Sequence, residues 1–487
     1  MGKVDVVIRN ARLIDGTGAP SRTGDLAVTG DRISAMGGTL AVSAEREIDA
    51  QGKVLAPGFI DAHTHDDRIV LVDPGMACKV SQGVTTVVTG NCGISIAPVT
   101  VPSRPPAPLD LICPEPQHFF ASFADYFAAL DKAPPALNVV AQAGHSSLRV
   151  MAMDRLDRPA TAAEIETMRK TLRQALQEGA AGLSTGLFYP PAVSAPTEEV
   201  EALAEVVHEF SGFHSTHMRD EGEGVLESLA ESFRIGRTAK IPVVISHHKC
   251  TGTENHGRSV STLAAIEAAR RSQPIGLDAY PYIASSTILK KDRVGSATRT
   301  LVTWSTQRPD LSGRDLADIA AELGVSPEEA VDQLSPAGAI YFMMSEDDVQ
   351  RILKYPATMI GSDGLPHDAH PHPRLWGTFP RVLGHYARDV GLFPLEEAVR
   401  KMTSLTARTF GIKDRGVLAE GAFADLVLFD AGAIEDSATF EQPTTPAAGI
   451  VTVLVNGKAV WEAGRATGAR SGRGLRREQL TPLAFAS

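Results

Sequence analysis

Residues 58–67 read GFIDAHTHDD. An apolar run from Val54 to Ile60, with Pro57 and Gly58 inside it, ends in His63-Thr64-His65. Residues two apart on a strand point the same way. The pair therefore reads as two imidazoles on one side of a strand end. Imidazole nitrogen suits zinc and other borderline metals. Alone the pattern is weak, because most such pairs are surface or hydrogen-bonded histidines. Its weight depends on how the other strands end.

Outward from this stretch, apolar strand-like runs alternate with helix-like segments. The runs end at GFIDAHTH, TTVVTGNCG, LNVVAQAGH, AAGLSTGLFYP, FHSTHMRD, IPVVISHHK, PIGLDAYPY and ATMIGSDG. Several intervening segments are amphipathic. Thr161 followed by Glu164 predicts a capping box before IETMRKTLRQALQEG, with Gly179 as the stop, and Thr197 opens EEVEALAEVVHEF in a similar way. Eight such alternations predict an α/β fold of the (β/α)8 barrel type, whose chemistry sits at the strand C-termini.

The two ends of the chain differ from the middle. Residues 1–55 hold short alternating runs with Gly and Asp at the turns, and residues 415–487 resume the pattern. Val455-Asn456-Gly457-Lys458 is a hairpin signal. Both ends are expected to build one small β-domain beside a barrel over residues 56–414. Residues 285–345 separate the seventh and eighth strands by more than one helix needs and read as an insertion, with a helix start at Ser326-Pro327-Glu328-Glu329. The proline-rich stretch VPSRPPAPLDLICPEP (101–116) is an irregular loop, either a lid near the site or a plain surface loop.

Bulk composition narrows the function classes. No apolar run reaches the length of a membrane span. The N-terminus MGKVDVVIRN enters a strand pattern without a basic start and apolar core, so no secretory signal is read. Four cysteines in 487 residues do not make a disulfide framework, which fits a reducing, cytoplasmic setting. A formal charge of −11 argues against nucleic acid as the main partner. The one basic stretch, ARSGRGLRR (469–477), reads as a solvated tail. Oligomeric state is not legible.

The strand ends carry the chemistry. The second ends in Asn91-Cys92-Gly93, the fifth in His217-Met218-Arg219-Asp220, the sixth in His247-His248-Lys249 and the eighth in Ser362-Asp363-Gly364. Soft and nitrogen ligands thus come from four strands, with a carboxylate at the last. A catalytic metal needs about three protein ligands and an open position for water. A nearby carboxylate can take a proton from that water and pass it to a leaving nitrogen.

As a set these motifs resemble the amidohydrolase superfamily. TGNCG, STHMRD, ISHHK and the late SDG are similar to D-aminoacylase and the other N-acyl-D-amino-acid deacylases, over nearly the whole chain. The resemblance implies a tightly held zinc on Cys92, His217 and His247, and a second site, weaker or empty, at His63 and His65. It implies Asp363 as general base and then acid, and Lys249, Tyr280 and Arg374 as the residues that meet the substrate carboxylate. The implied substrate is a small N-acyl-D-amino acid. Many binuclear members of the superfamily bridge their metals with a carboxylated lysine on the fourth strand. GLSTGLFYP has no lysine, and Cys92 offers a thiolate instead.

The proposed carboxylate-binding residues have their own logic. Lys249 lies two residues after His247 and so shares its strand face. Tyr280 ends the seventh strand, and Arg374 follows the eighth, where a guanidinium can clamp a carboxylate with two hydrogen bonds. Other histidines carry less. HEFSGFH (208–214) lacks the second His at the spacing a zincin helix needs. HDAHPHPR (367–374) reads as a mobile loop at the site edge, His248 as structural, and His145 as either a substrate contact or a structural histidine. Cys78, Cys113 and Cys250 show no partner pattern. The same metal set also suits a cyclic-amide or D-dipeptide hydrolase, or a barrel kept for binding alone, since the pocket and not the fold decides.

Overall fold

Gly58 divides the opening apolar run between two sheets. In the computed structural model, which describes residues 3–480, Val54–Pro57 lies between Val4–Leu13 and Leu426–Phe429. Phe59–Asp61 pairs instead with Val84–Thr89. A Cβ on Gly58 would come within 2.2 Å of the Thr85 side chain, so only glycine lets the chain cross here. The run that reads as one strand is therefore two.

Around the first of these pieces, a nine-stranded sheet draws on both ends of the chain. The hairpin of Ile450–Val455 and Lys458–Glu462 turns at Asn456 and Gly457, whose φ values of 47° and 78° suit a primed turn. The small domain is tied to the barrel by buried polar contacts. Asn456 Nδ2 donates to Asn138 Oδ1 at 2.9 Å, and Asn138 Nδ2 donates to Asp425 Oδ2 at 3.1 Å.

The barrel has eight parallel positions: Phe59–Asp61, Val84–Thr89, Asn138–Ala141 continued by Ala143–Gly144, Gly182–Gly186, Phe213–His217, Val243–Ile245, Ile275–Ala279 and Thr358–Ile360. Ala62 N donates to Ile360 O at 3.1 Å and closes the ring between the first and eighth. The strands are buried on both sides, which explains their unbroken apolar character. Between the seventh and eighth lies a three-stranded antiparallel sheet of Ala284–Ile288, Arg299–Ser305 and Ala337–Phe342.

The outer helices begin where their caps place them. Thr161 and Glu164 form a capping box before Ala162–Gln177, and Ser326 and Glu329 form another before Pro327–Leu334. Thr197 is different. The N-cap there is Pro196, and the Thr197 hydroxyl is spent on Glu231 of the next helix at 2.8 Å.

Two further expectations are corrected. The basic stretch 469–477 is not a solvated tail. It crosses beneath the barrel, where Leu475 N donates to Val139 O at 2.8 Å, and Gly472, Gly474 and Leu475 are buried. Arg470 and Arg473 are exposed, Arg476 and Arg477 are half-buried against Phe127 and Phe210 O, and the glycines let the backbone pack. The 367–374 loop is pinned rather than free, since His370 Nε2 lies 2.7 Å from Phe440 O and His372 Nε2 lies 3.0 Å from Ala284 O.

Candidate functional site

The strands stop short of the residues that the strand-face argument places on them. The first ends at Asp61 and the sixth at Ile245, so His63, His65, His247 and Lys249 all lie in the turns beyond. Backbone conformation aims them instead. Cys92, His247 and Asp363 have φ values of 54°, 37° and 50°. Left-handed backbone at three non-glycine residues costs of order 1–3 kcal/mol each and gathers at functional sites. Around Cys92, Gly90 and Gly93 are also at positive φ, and Cβ atoms there would meet backbone at 2.2 and 2.6 Å.

These turns bring the side chains to one point. Cys92 Sγ lies 3.3 Å from both His63 Nε2 and His247 Nε2. His247 Nε2 is 2.9 Å from His217 Nδ1. One donor atom each from Cys92, His217 and His247 falls within 4.8 Å of the others, and the same holds for His63, His65, Cys92 and Asp363. Cys92 belongs to both groups, so the two share an edge. Burial alone would raise its thiol, but His63 and His247 outweigh burial and hold it well below the usual thiol range. A thiolate facing imidazole nitrogens that also face one another is a donor set that fits zinc, and the fit rests on chemistry as well as distance.

Asp363 closes the centre. Its Oδ1 lies 3.2 Å from His65 Nε2 and 3.4 Å from His63 Nε2, and its Oδ2 lies 2.8 Å from Arg374 Nη1. Burial would favour the neutral acid, but Arg374 foremost, with His247 and His65, holds the carboxyl well below its ordinary range. Arg374 is itself buried, stacks 4.5 Å from the Tyr280 ring and donates from Nη2 to Ser286 O at 3.2 Å. The Tyr280 hydroxyl is buried and has no hydrogen-bond partner among the described residues. Lys249 Nζ stands 5.6 Å from the same ring. Six of the nine residues singled out in the sequence, His65, His217, His247, Lys249, Tyr280 and Asp363, line one cleft whose walls also include Leu111, Tyr189, Ser286, Arg293 and Leu365, and His63, Cys92 and Arg374 contact them from behind. Leu111 comes from the proline-rich loop and packs in one apolar cluster with Cys92, so that loop takes part in the site wall.

Several residues that position this centre escape sequence reasoning. Asp61 Oδ1 accepts from Ser362 N at 2.8 Å and from His63 N at 3.3 Å, joining the first and eighth strand ends. Lys79, fully buried, donates to Asp61 at 2.9 Å and to Ser362 Oγ at 2.6 Å. Asp278 Oδ1 accepts from His247 N at 2.9 Å. Glu221 Oε1 sits 2.7 Å from Lys249 Nζ and 3.0 Å from His247 Nδ1. Asp61 sits four residues before His65 in the quoted stretch, which is a usable signal; Lys79 and Glu221 have none. Of the other histidines, His248 Nε2 is satisfied by Thr262 at 2.9 Å, and His145 Nε2 lies 2.9 Å from Glu199, which makes both structural.

Known proteins resemble this chain over nearly its whole length. A family model described as an amidohydrolase family matches residues 46–279 and 256–461. A D-aminoacylase of Alcaligenes xylosoxydans xylosoxydans is 56% identical over 473 residues, covering 97% of this chain and 98% of the relative. A D-aminoacylase structure concerned with a binuclear metal center, with one-metal activation and second-metal attenuation, superposes at a TM-score of 0.95. It is 57% identical over 97% of this chain and 100% of that one. The N-acyl-D-glutamate deacylase of Bordetella bronchiseptica, in complex with zinc and a phosphonate mimic of the tetrahedral intermediate, superposes at 0.94. It is 48% identical over 98% of this chain and 100% of that one. The chain belongs to the amidohydrolase family, among the D-aminoacylases and N-acyl-D-amino-acid deacylases.

Proposed function

We propose that this protein is a zinc-dependent hydrolase that cleaves N-acyl-D-amino acids to a carboxylate and a free D-amino acid. The observation that carries the reading is the convergence of Cys92, His217 and His247 beside Asp363, within reach of the Arg374, Tyr280 and Lys249 wall. Relatives named for D-amino-acid substrates support the handedness.

Cys92, His217 and His247 would hold the tighter metal, and His63 with His65, sharing Cys92, a weaker one. What zinc supplies when bound is polarisation of the scissile carbonyl and a lowered proton affinity for water. Asp363 begins ionised because Arg374 keeps it so, and it accepts the proton of the attacking water. It then returns that proton to the departing amine nitrogen. Tyr280 lines the cleft with an unpartnered hydroxyl, and Arg374 against its ring leaves Nε unpaired, which suits a substrate α-carboxylate. Deep burial of the whole set lowers the local dielectric and strengthens each of these interactions.

The surroundings are compatible with a small-molecule substrate in the cytoplasm. All four cysteines are free and buried, and no helix among the described residues is long and apolar enough to cross a membrane. The deciding experiment replaces Asp363 by Asn and follows zinc content and turnover of an N-acetyl-D-amino acid together. Zinc retained with kcat lowered about 10²- to 10⁴-fold is expected for the loss of a general base. Undiminished turnover removes Asp363 from that role. A hydantoin tested alongside should stay closed, and its ring opening would move the reading to cyclic amides.

A further inference from the structure

Glu221 lies in the turn after the fifth barrel strand and is almost fully buried. The turn is fixed at both sides, since Asp220 N donates to Ser228 Oγ at 3.0 Å and Thr251 N donates to Glu221 O at 2.8 Å. Its carboxylate is therefore held in place rather than swept in. Oε1 is 3.0 Å from His247 Nδ1 and 2.7 Å from Lys249 Nζ. Lys249 Nζ is in turn 2.8 Å from the same His247 Nδ1 and 2.9 Å from His247 O.

One ring nitrogen thus has two competing partners of opposite demand. A neutral imidazole carries one N–H and one lone pair. A carboxylate calls for the N–H on Nδ1, whereas an ammonium calls for the lone pair there. The choice matters because the other nitrogen, Nε2, faces Cys92 Sγ and His217 Nδ1. With the proton on Nδ1, Nε2 offers its lone pair to a metal. With Lys249 donating to Nδ1, the proton sits on Nε2 and the ring cannot ligate.

We infer that the Glu221–Lys249 pair selects the ring nitrogen of His247 that carries the proton, with Glu221 favouring the metal-binding form and Lys249 opposing it. Glu221 is then a positioning residue, acting through His247. The inference rests on the proposed ligand set and on Lys249 as a cation for the substrate carboxylate. It also goes further. A substrate carboxylate that draws Lys249 away leaves Nδ1 to Glu221 alone. Substrate binding and metal binding then reinforce each other, and the coupling is reciprocal.

The test uses metal-free, ¹⁵N-His-labelled full-length protein, with the His247 ring nitrogens assigned through a His247→Ala variant. At a pH that leaves the ring neutral, as a ligating imidazole must be, wild type should carry the proton on Nδ1, Lys249→Met should keep it there, and Glu221→Ala should move it to Nε2. Zinc affinity, read by chelator competition, should fall at least about tenfold in Glu221→Ala, in the range seen for lost partners of ligating histidines. Adding N-acetyl-D-leucine should tighten zinc in the Asp363→Asn background, whereas the same acetamide lacking its carboxylate should not. An unchanged tautomer in Glu221→Ala overturns the inference. If that variant does not fold, equal zinc affinity with and without the carboxylate ligand overturns it in the Asp363→Asn protein. If His247→Ala binds zinc as tightly as wild type, the proposed ligand set fails and the inference falls with it.

Discussion

Two buried clusters in this barrel use the same residue types and behave differently. One is the Cys92, His217, His247 and Asp363 centre at the strand mouths. The other lies one strand away, where Glu199 meets His145 and Arg149, and all three side chains have no exposure. In the second cluster charge is answered by charge, and backbone carbonyls take the remaining Arg149 donors. Arg149 pairs with Glu199, and its Nε and Nη2 donate to Pro191 O at 2.6 Å and Arg158 O at 2.7 Å. None of its three residues has left-handed backbone. At the mouth, nitrogen faces nitrogen and sulfur, and three residues hold positive φ. Burial of ionisable groups does not separate the two. The pairing separates them: the structural cluster sets an acid against a guanidinium, whereas the mouth cluster sets sulfur and imidazole nitrogens against one another.

A smaller contrast lies between two cysteines. Cys92 is held well below its usual range by His63 and His247 against the effect of burial. Cys113 also has a carboxylate and a histidine near it, in Glu115 and His118. Burial pushes that thiol up to about 11, and the Cys113 thiol donates to Glu115 O at 3.3 Å. Arg68 lies 3.2 Å from the Glu115 carboxylate and supplies the positive charge there. Proximity of ligand types is thus common to both, but only one is electrostatically poised as a thiolate.

The comparison is most easily broken at Cys92. Cys92→Ala should remove zinc and abolish turnover together, because both donor groups share this sulfur; full zinc retention by metal analysis would end the ligand assignment. Next in size is Arg149→Met. It strands Glu199 in the interior and should lower stability by about 3–5 kcal/mol in urea unfolding. The folded protein should keep its zinc and its kcat, and a loss of zinc would erase the distinction between the clusters.

Acid titration sharpens the same point. Burial would raise Glu199, but His145 and Arg149 outweigh it and hold the carboxyl at about 2. The unfolded chain has it near about 4.3, so the unfolded state binds more protons between these values. The stabilisation is present above about pH 4.3 and is lost as pH falls through about 2, amounting to roughly 2–3 kcal/mol. Glu199→Gln should flatten the stability profile in that window, and an identical acid limb would mean that the pair contributes nothing. The smallest effect belongs to Cys113→Ser, which should leave zinc stoichiometry and kcat unchanged; a lost equivalent of zinc would show that the loop cluster binds metal after all.

Much of the fold is legible because its signals are local. Strand ends recur with turn residues, Thr161 and Ser326 announce their helices by capping, and Asn456-Gly457 announces its hairpin. What escapes depends on contacts made across the fold. Gly58 divides one apolar run because Thr85 crowds it from a neighbouring strand. The 469–477 stretch looks solvated by charge count, yet its glycines pack under the third strand. At the site, the residue types that sulfur and nitrogen chemistry single out do come together, although through left-handed turns rather than by shared strand faces. Glu221 sits in MRDEGEG, where no local signal ties it to His247 and Lys249. Lys79 carries no local signal either, because its partners Asp61 and Ser362 come from the ends of the first and eighth strands.

The central claim is hydrolysis of N-acyl-D-amino acids at the mouth cluster. Its most direct test is amine release by zinc-loaded protein from paired N-acetyl-D- and N-acetyl-L-amino acids, covering Met, Leu, Glu and Asp. The account predicts release from the D series alone, with the favoured side chain naming the neutral or acidic preference. Release from the L series, or from neither, would contradict it.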